Sequence, residues 1–386
     1  MPPLSGVGRY TEQLLLDLFH HADIESIEGF IDFKMINHQN LLELTESLDK
    51  KNKTNIRQST LSNYNMPLLK AIAKHLPFSM FIRQQIQSQL FKNKFKHYQD
   101  FIYWESNYIL APFDGYTVAT IYDLSHIRHP EFHPLERTQW MDSQLPKTIK
   151  NADALTTISE FSKQEIMDCF NVPEDKISIV SPAVSSIFRY PYSEIQKQNI
   201  KQQFSLPEQY ILSVGTLEPR KNIKGLVQAY SQLSPTLRDA FPLVIVGAKG
   251  WRTQETEHII APFLKKGQII MLGYVAQQEL PILYAAATLF VYLSYYEGYG
   301  MPIAEAMCSN TAVLCSNTTS MPEVSANSTQ LVDPNDIDTI SEQLTELLED
   351  KNKRENLQKK AQYASANYCW EHSTEQLLQV FKKASI

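Results

Sequence analysis

Short apolar runs that alternate with longer amphipathic segments constrain this chain more than any other feature. The runs are "ESIEGFID", "DFIYW", "TVATIYD", "ALTTIS", "ISIVSPAV", "YILSVGT", "PLVIVG", "QIIMLG" and "TLFVYLS", with helix-period patterns between most of them. Strands buried on both faces read as continuous apolar runs, and intervening helices supply the crossovers that parallel pairing needs. The expectation is an α/β chain of doubly wound parallel sheets. The pattern loosens around residues 182–200, and a new strand begins at "YILSV". That predicts an N-terminal half over 1–185 and a C-terminal half over 195–370. A chain of 386 residues, 43% hydrophobic, is long enough to give each half its own core. Open parallel sheets bind ligands outside the carboxyl ends of their strands, so the residues just after each apolar run carry the functional information.

Composition narrows the field. A net charge of −6 argues against a nucleic-acid partner. Cys169, Cys308, Cys315 and Cys369 lack metal-ligand or CxxC spacing and read as reduced thiols. The chain has no run of 18 apolar residues, and its opening "MPPLSGVGRY" has neither a basic nor an apolar leader region. The expected location is cytoplasmic. With only 12 glycines, the places where they cluster stand out.

Three such places follow apolar runs. After "TLFVYLS" comes "EGYGMPIAE", with Glu297 on a loop and Glu305 expected in the first turn of a helix that Pro302 can open. Gly298 and Gly300 let backbone approach a ligand, and the helix start offers N–H groups to an anion. On pattern alone, a helix cap and a solvated acid explain the two glutamates equally well. After "YILSV" comes "GTLEPRKNIKGLVQAY", where Arg220 and Lys221 form a candidate anion clamp beside a helix that Asn222 can cap. An ordinary solvated basic pair is the competing reading. In "LSGVGRYTEQLL", Gly6 and Gly8 suggest a turn, with Thr11 and Glu12 beginning an amphipathic helix. A short GxG is weak evidence alone.

Taken together, these stretches resemble the retaining glycosyltransferases called group 1, or family 4, which adopt the GT-B fold. "EGYGMPIAE" matches the E-x7-E signature of that family, and "EPRKN" matches its E-x-R-K-N. The resemblance implies that Glu297 contacts the donor sugar and Glu305 the ribose hydroxyls. The backbone of Tyr299, Gly300 and Met301 would meet sugar or diphosphate. Arg220 and Lys221 would neutralise the diphosphate, with Gly6 and Gly8 facing it. Gly215 and Gly247, in "VGTLEP" and "VGAKGW", would line the same donor site, and the backbone of Tyr274 and Val275 would face the nucleobase. "TTISEFSKQEI" and "WEHS" also agree, the latter opening a helix, about 371–386, that returns to the first half. No metal or other cofactor is implied. The co-substrate is a nucleotide diphosphate sugar, GDP-mannose in preference to a UDP-sugar. The subgroup implies a hexosyl, preferably mannosyl, transfer to a hydroxyl of a glycan or lipid-linked acceptor in surface polysaccharide, often O-antigen.

Departures from the family pattern qualify this picture. The chain opens only five residues before Gly6, where relatives carry a strand of ten or more. The expectation is a first half that lacks that strand, or a misplaced start. In "TIYDLSHIRHPEFHP", Tyr122 stands where the family often has His, and Asp123 either orients the acceptor or caps the next turn. In "YWESN", Trp104 replaces a usual His, and Glu105 is a candidate acceptor contact. Asn310 replaces a glycine, which its tolerance of the left-handed region permits. "DID" at 336–338 matches a metal-binding DxD literally but reads better as a helix cap. The basic, acid-free stretch 68–98 is either a membrane-surface contact or a solvated helix. The alternative to an enzyme is a nucleotide-sugar-binding pseudoenzyme of the same fold.

Overall fold

The computed structural model describes residues 6–31, 34–54, 94–189, 191–248, 250 and 254–385. They form two compact units. Unit 1 gathers Met1–Thr157, Glu165–Val180 and Thr374–Ile386, and unit 2 gathers Ile158–Gln164 and Ser181–Ser373. Most of the basic stretch 68–98 lies outside the described residues.

Unit 1 begins with α1 (Gly6–Phe19), an antiparallel pair β1 (Gly29–Ile31) and β2 (Lys34–Ile36), and α2 (His38–Thr54). Then come β3 (Tyr103–Glu105), β4 (Thr117–Thr120), α3 (Ser125–Arg128), α4 (Leu135–Asn151), β5 (Ala154–Thr157), α5 (Glu160–Phe170), whose residues through Gln164 cluster with unit 2, and β6 (Ile177–Ile179). β3 to β6 pair in chain order as a parallel sheet. Ala119, Ile121, Leu145, Leu155 and Ile166 pack together in its core. The β1–β2 hairpin departs from the parallel pairing expected throughout.

The glycine turn expected at Gly6 and Gly8 is also corrected. Both glycines lie in helix α1, and Thr11 and Glu12 sit inside it. The reason is tertiary. Tyr10, Leu14 and Leu18 are buried along one face, and the Tyr10 hydroxyl donates to the Val180 carbonyl at 2.9 Å. That burial outweighs the roughly 1 kcal/mol a helical glycine costs.

Unit 2 runs α6 (Glu194–Gln203), β7 (Ile211–Val214), α7 (Ile223–Gln232), α8 (Pro235–Ala240), β8 (Leu243–Val246), α9 (Gln254–Lys265), β9 (Ile269–Gly273), α10 (Leu280–Ala286) and β10 (Leu289–Tyr292). It continues with α11 (Met301–Cys308), β11 (Val313–Ser316), α12 (Met321–Ser325), β12 (Gln330–Val332), α13 (Ile337–Glu349) and α14 (Lys351–Ser365). Helix α15 (Trp370–Lys382) closes the chain, and its residues from Thr374 onward cluster with unit 1, where Phe381 packs edge-on to Trp104. The six strands of unit 2 are all parallel, in the order β12-β11-β10-β7-β8-β9. From β7 the chain winds outward through β8 and β9. From β10 it winds the other way through β11 and β12. The topological switch point therefore lies between β7 and β10, where a doubly wound sheet opens a crevice at its carboxyl edge.

Candidate active site

The two segments that follow the switch-point strands carry the glutamate and basic motifs. After β7, a single 3₁₀ turn over Pro219–Lys221 presents Arg220 and Lys221. Asn222 adopts φ 50°, and its side chain caps α7 by accepting from the Gly225 N–H at 3.0 Å. Its amide also donates to the Pro334 carbonyl at 2.9 Å, so the turn is anchored on two sides.

After β10, Glu297 meets both cations. Arg220 Nη1 lies 2.8 Å from Glu297 Oε2, and Lys221 Nζ lies 2.6 Å from Oε1. The Tyr292 hydroxyl donates to Oε1 at 2.8 Å and accepts from Lys221 Nζ at 2.6 Å. Glu218 takes the other side of the guanidinium, at 3.2 Å from Nε and 2.9 Å from Nη2. Two acids and two bases thus form a closed, nearly buried group. Burial alone would raise the Glu297 carboxyl, but Arg220 and then Lys221 override it and hold it at about 2. Burial lowers Lys221, an effect that Glu297 partly offsets. Burial and the adjacent Glu297 raise Tyr292, so it stays a phenol that can donate. Buried ion pairs are expensive to desolvate and rarely improve on apolar packing. Such a group at a sheet's switch point is a mark of function.

The loop carrying Glu297 is held firmly despite its glycines. Five successive carbonyls lie against side-chain donors: Tyr295 against Thr318, Tyr296 against Arg220, Gly298 against Ser159 and Ser162, and Glu297 and Tyr299 sharing the one Ser320 hydroxyl. Ser159 also accepts from the Ser162 N–H at the start of α5, and Glu323 accepts from the Glu160 and Phe161 N–H groups there. Gly300 then turns the chain at φ 107° into α11.

Further residues expected at the donor site lie elsewhere in unit 2. Pro302 is in the first turn of α11, but Glu305 lies a turn further in, which corrects its expected first-turn position. There it is buried and accepts from the Tyr284 hydroxyl at 3.1 Å. Tyr299 is buried and Met301 opens α11. Gly215 and Gly247 end β7 and β8 and pair onward, since Gly215 N–H donates to the Val246 carbonyl and Gly247 N–H to the Gly273 carbonyl. A Cβ on Gly247 would come within 1.9 Å of the Gly215 carbonyl oxygen, so backbone approach already explains that glycine. Tyr274 is exposed and Val275 buried after β9.

In unit 1 the remaining candidates are engaged internally. Tyr122 is buried, stacked edge-on to Tyr10, and donates to the Ser106 carbonyl at 2.7 Å. Asp123 Oδ1 accepts from the Ser125 N–H at 3.0 Å and hydroxyl at 2.8 Å, so it caps the turn into α3. Glu105 accepts from the Tyr103 hydroxyl at 2.7 Å and the Asn107 N–H at 3.0 Å, and burial raises its carboxyl. Asp336 caps α13 through the Thr339 N–H. Among the described residues, no group of three or more His, Cys, Asp or Glu is placed to hold a metal ion. Asn310 does take the left-handed conformation, at φ 58°.

Sequence reading missed Tyr292, Glu218, Tyr284, Ser159, Ser162, Glu323 and Ser320. Glu218 was readable from its place in "EPRKN". The others act across long sequence separations and leave no local pattern.

Residues 194–363 match the family Glycosyl transferases group 1. The chain is 34% identical, over 98% of its length and 96% of the relative's, to O-antigen chain mannosyltransferase B of Escherichia coli. A glycosyltransferase from Rickettsia africae superposes with a TM-score of 0.64 over 100% of this chain and 97% of that one, at 16% identity. WaaG, a glycosyltransferase involved in lipopolysaccharide biosynthesis, reaches a TM-score of 0.65 over 79% of this chain and 84% of that one, also at 16% identity. Likeness along nearly the full length of both chains, with basic and glutamate motifs converging at one switch point, makes this chain a member of the group 1 glycosyltransferases, with the GT-B fold.

Proposed function

We propose that this chain transfers mannose from GDP-mannose, with retention and without a metal, to a hydroxyl of a glycan or lipid-linked acceptor in surface-polysaccharide synthesis. The mannosyl and polysaccharide parts of this reading are supported by the likeness to O-antigen chain mannosyltransferase B. The observation that carries the chemistry is the seating of Arg220 and Lys221 on Glu297 at the switch point.

In the reaction, the bond from the anomeric carbon to the diphosphate breaks. A bond from that carbon to the acceptor oxygen forms on the same face, and the acceptor's proton passes to the departing phosphate oxygen. Negative charge grows on the diphosphate, and fixed cations already in place stabilise it without reorganisation. Arg220 and Lys221 fill that role. An ionised carboxylate offers about four acceptor positions. Glu297 uses two on Oε1, for Lys221 and Tyr292, and one on Oε2, for Arg220. Glu297 Oε2 is the oxygen we assign to a donor-sugar hydroxyl. Glu305, one turn into α11, suits the ribose hydroxyls, with the backbone at Tyr274 and Val275 against the base.

A thermal-shift panel of GDP-mannose, UDP-glucose, UDP-GlcNAc, UDP-galactose and dTDP-rhamnose, with and without EDTA, tests this reading. GDP-mannose should raise the melting point, unaffected by EDTA, and the Glu305→Ala variant should lose the effect. A ligand at 100 times its Kd adds about 2.7 kcal/mol. No shift with any donor would overturn the reading. The anomeric configuration of the product, read by NMR, decides retention.

A further inference from the structure

Lys221 reaches its place along a constrained route. Its ammonium carries three N–H bonds. One points to Glu297 Oε1 at 2.6 Å and one to the Tyr292 hydroxyl at 2.6 Å. The hydroxyl and Oε1 are themselves bonded at 2.8 Å, so Nζ, Oη and Oε1 close a triangle. The ammonium lies 5.1 Å from the Tyr292 ring centroid, off the hydroxyl end of the ring. Tyr292 ends β10 at 3% exposure, with its ring stacked on Phe290. It cannot swing away without breaking the strand's packing.

A lysine ammonium is ordinarily a rotating point charge on a flexible stem. Two fixed acceptors change that. Once two N–H bonds are occupied, the tetrahedral geometry of nitrogen fixes the direction of the third. That third N–H has no partner among the described residues.

We propose that Tyr292 is a positioning residue which, with Glu297, locks two donors of Lys221 and aims the third at the diphosphate of the nucleotide sugar. The inference rests on the donor-site reading above. In it Tyr292 does not touch the ligand. It removes the rotational freedom that Lys221 would otherwise lose on binding, and it keeps Glu297 Oε1 satisfied while Lys221 is shared with phosphate.

The test is a double-mutant cycle of Tyr292→Phe and Lys221→Met, with affinities for GDP and guanosine measured by titration calorimetry (UDP and uridine if GDP does not bind). Tyr292→Phe keeps the ring and removes only the hydroxyl. It should weaken the diphosphate about tenfold, the scale of one hydrogen bond to a charged group, and leave the nucleoside within about twofold. In the Lys221→Met background it should change neither, because the effect runs through Lys221. Retained nucleoside affinity also shows that the variant is folded. Equal losses for diphosphate and nucleoside would overturn the inference, as would an undiminished effect in the Lys221→Met background or a Tyr292→Phe variant that binds like wild type. A wild type that binds neither diphosphate would overturn the donor-site reading itself.

Discussion

Glu105 and Glu297 are a matched pair with opposite behaviour. Each sits at or just after the carboxyl end of a parallel strand, β3 for Glu105 and β10 for Glu297. Each accepts from a tyrosine hydroxyl, Tyr103 at 2.7 Å and Tyr292 at 2.8 Å. Burial raises the carboxyl of Glu105, whereas Glu297 is held at about 2. The difference is two cations. Among the described residues, the donors to Glu105 are neutral, the Tyr103 hydroxyl and the Asn107 N–H, and they do not overcome desolvation. Around Glu297 the charges of Arg220 and Lys221 do. Position at a strand end therefore does not by itself depress a carboxyl's pKa. The partners brought in from another segment do.

The sharpest way to break this contrast is to remove a cation. Arg220→Met leaves Glu218 and Glu297 facing each other without their shared partner. Unfolding should become easier by about 3–5 kcal/mol, as for other broken buried pairs, and transfer should slow by about 10²–10³-fold. Urea denaturation and initial rates check both. A variant with native stability would mean the group is solvated enough to do without Arg220.

Acid should separate the two glutamates by sign. The Glu297 carboxyl is depressed from 4.5 to about 2. Its contribution is therefore present above pH 4.5 and lost as the pH falls to about 2. A shift of that size corresponds to about 3 kcal/mol. Glu105 is raised, so its folded form favours the proton and its contribution is present in acid and lost as the pH rises through the folded value. Urea midpoints across pH 2–7 for wild type, Glu297→Gln and Glu105→Gln should show the acid slope flattened in the first variant and steepened in the second. Parallel slopes in all three would refute the comparison.

Smaller effects probe the loop that holds Glu297. Ser320→Ala leaves the carbonyls of Glu297 and Tyr299 without their shared donor and should cost about 1–3 kcal/mol. Donor KM should rise with it, because the loop that carries Glu297 relaxes. Smallest of all, Asp336→Ala should lower stability slightly through the lost cap of α13 and leave transfer unchanged with or without added Mn²⁺. A loss of transfer that Mn²⁺ restores in part would return "DID" to consideration as a metal site.

Several local features were legible in the chain itself. Asn222 caps α7, Asn310 takes a left-handed turn, Asp336 caps α13 and Pro302 sits in the first turn of α11. Each depends on a residue's own geometry and on neighbours within one turn. The alternation of apolar runs and helices dictated the parallel sheets for the same reason, since periodicity is a local property. That "EPRKN" and "EGYG" serve one site was implied by the family resemblance, whereas the strand order that makes β7 and β10 neighbours came from the fold.

Tertiary structure decided the rest, because the deciding contacts join distant segments. Tyr292 and Lys221 are 71 residues apart, and Ser159 reaches Gly298 across 139. Nothing within a window of the chain distinguishes Tyr292 from any other core tyrosine of a strand. Helix α1 is likewise tied down from afar, by Tyr10 bonding to Val180, 170 residues on. Local preference is worth about 1 kcal/mol per residue, and a buried aromatic with a satisfied hydroxyl outweighs it. The sequence alone therefore determined which residues could be acids, cations and caps. Folding determined which way each carboxyl is shifted, because the cost of charge in a buried site is set by partners within a few ångströms in space.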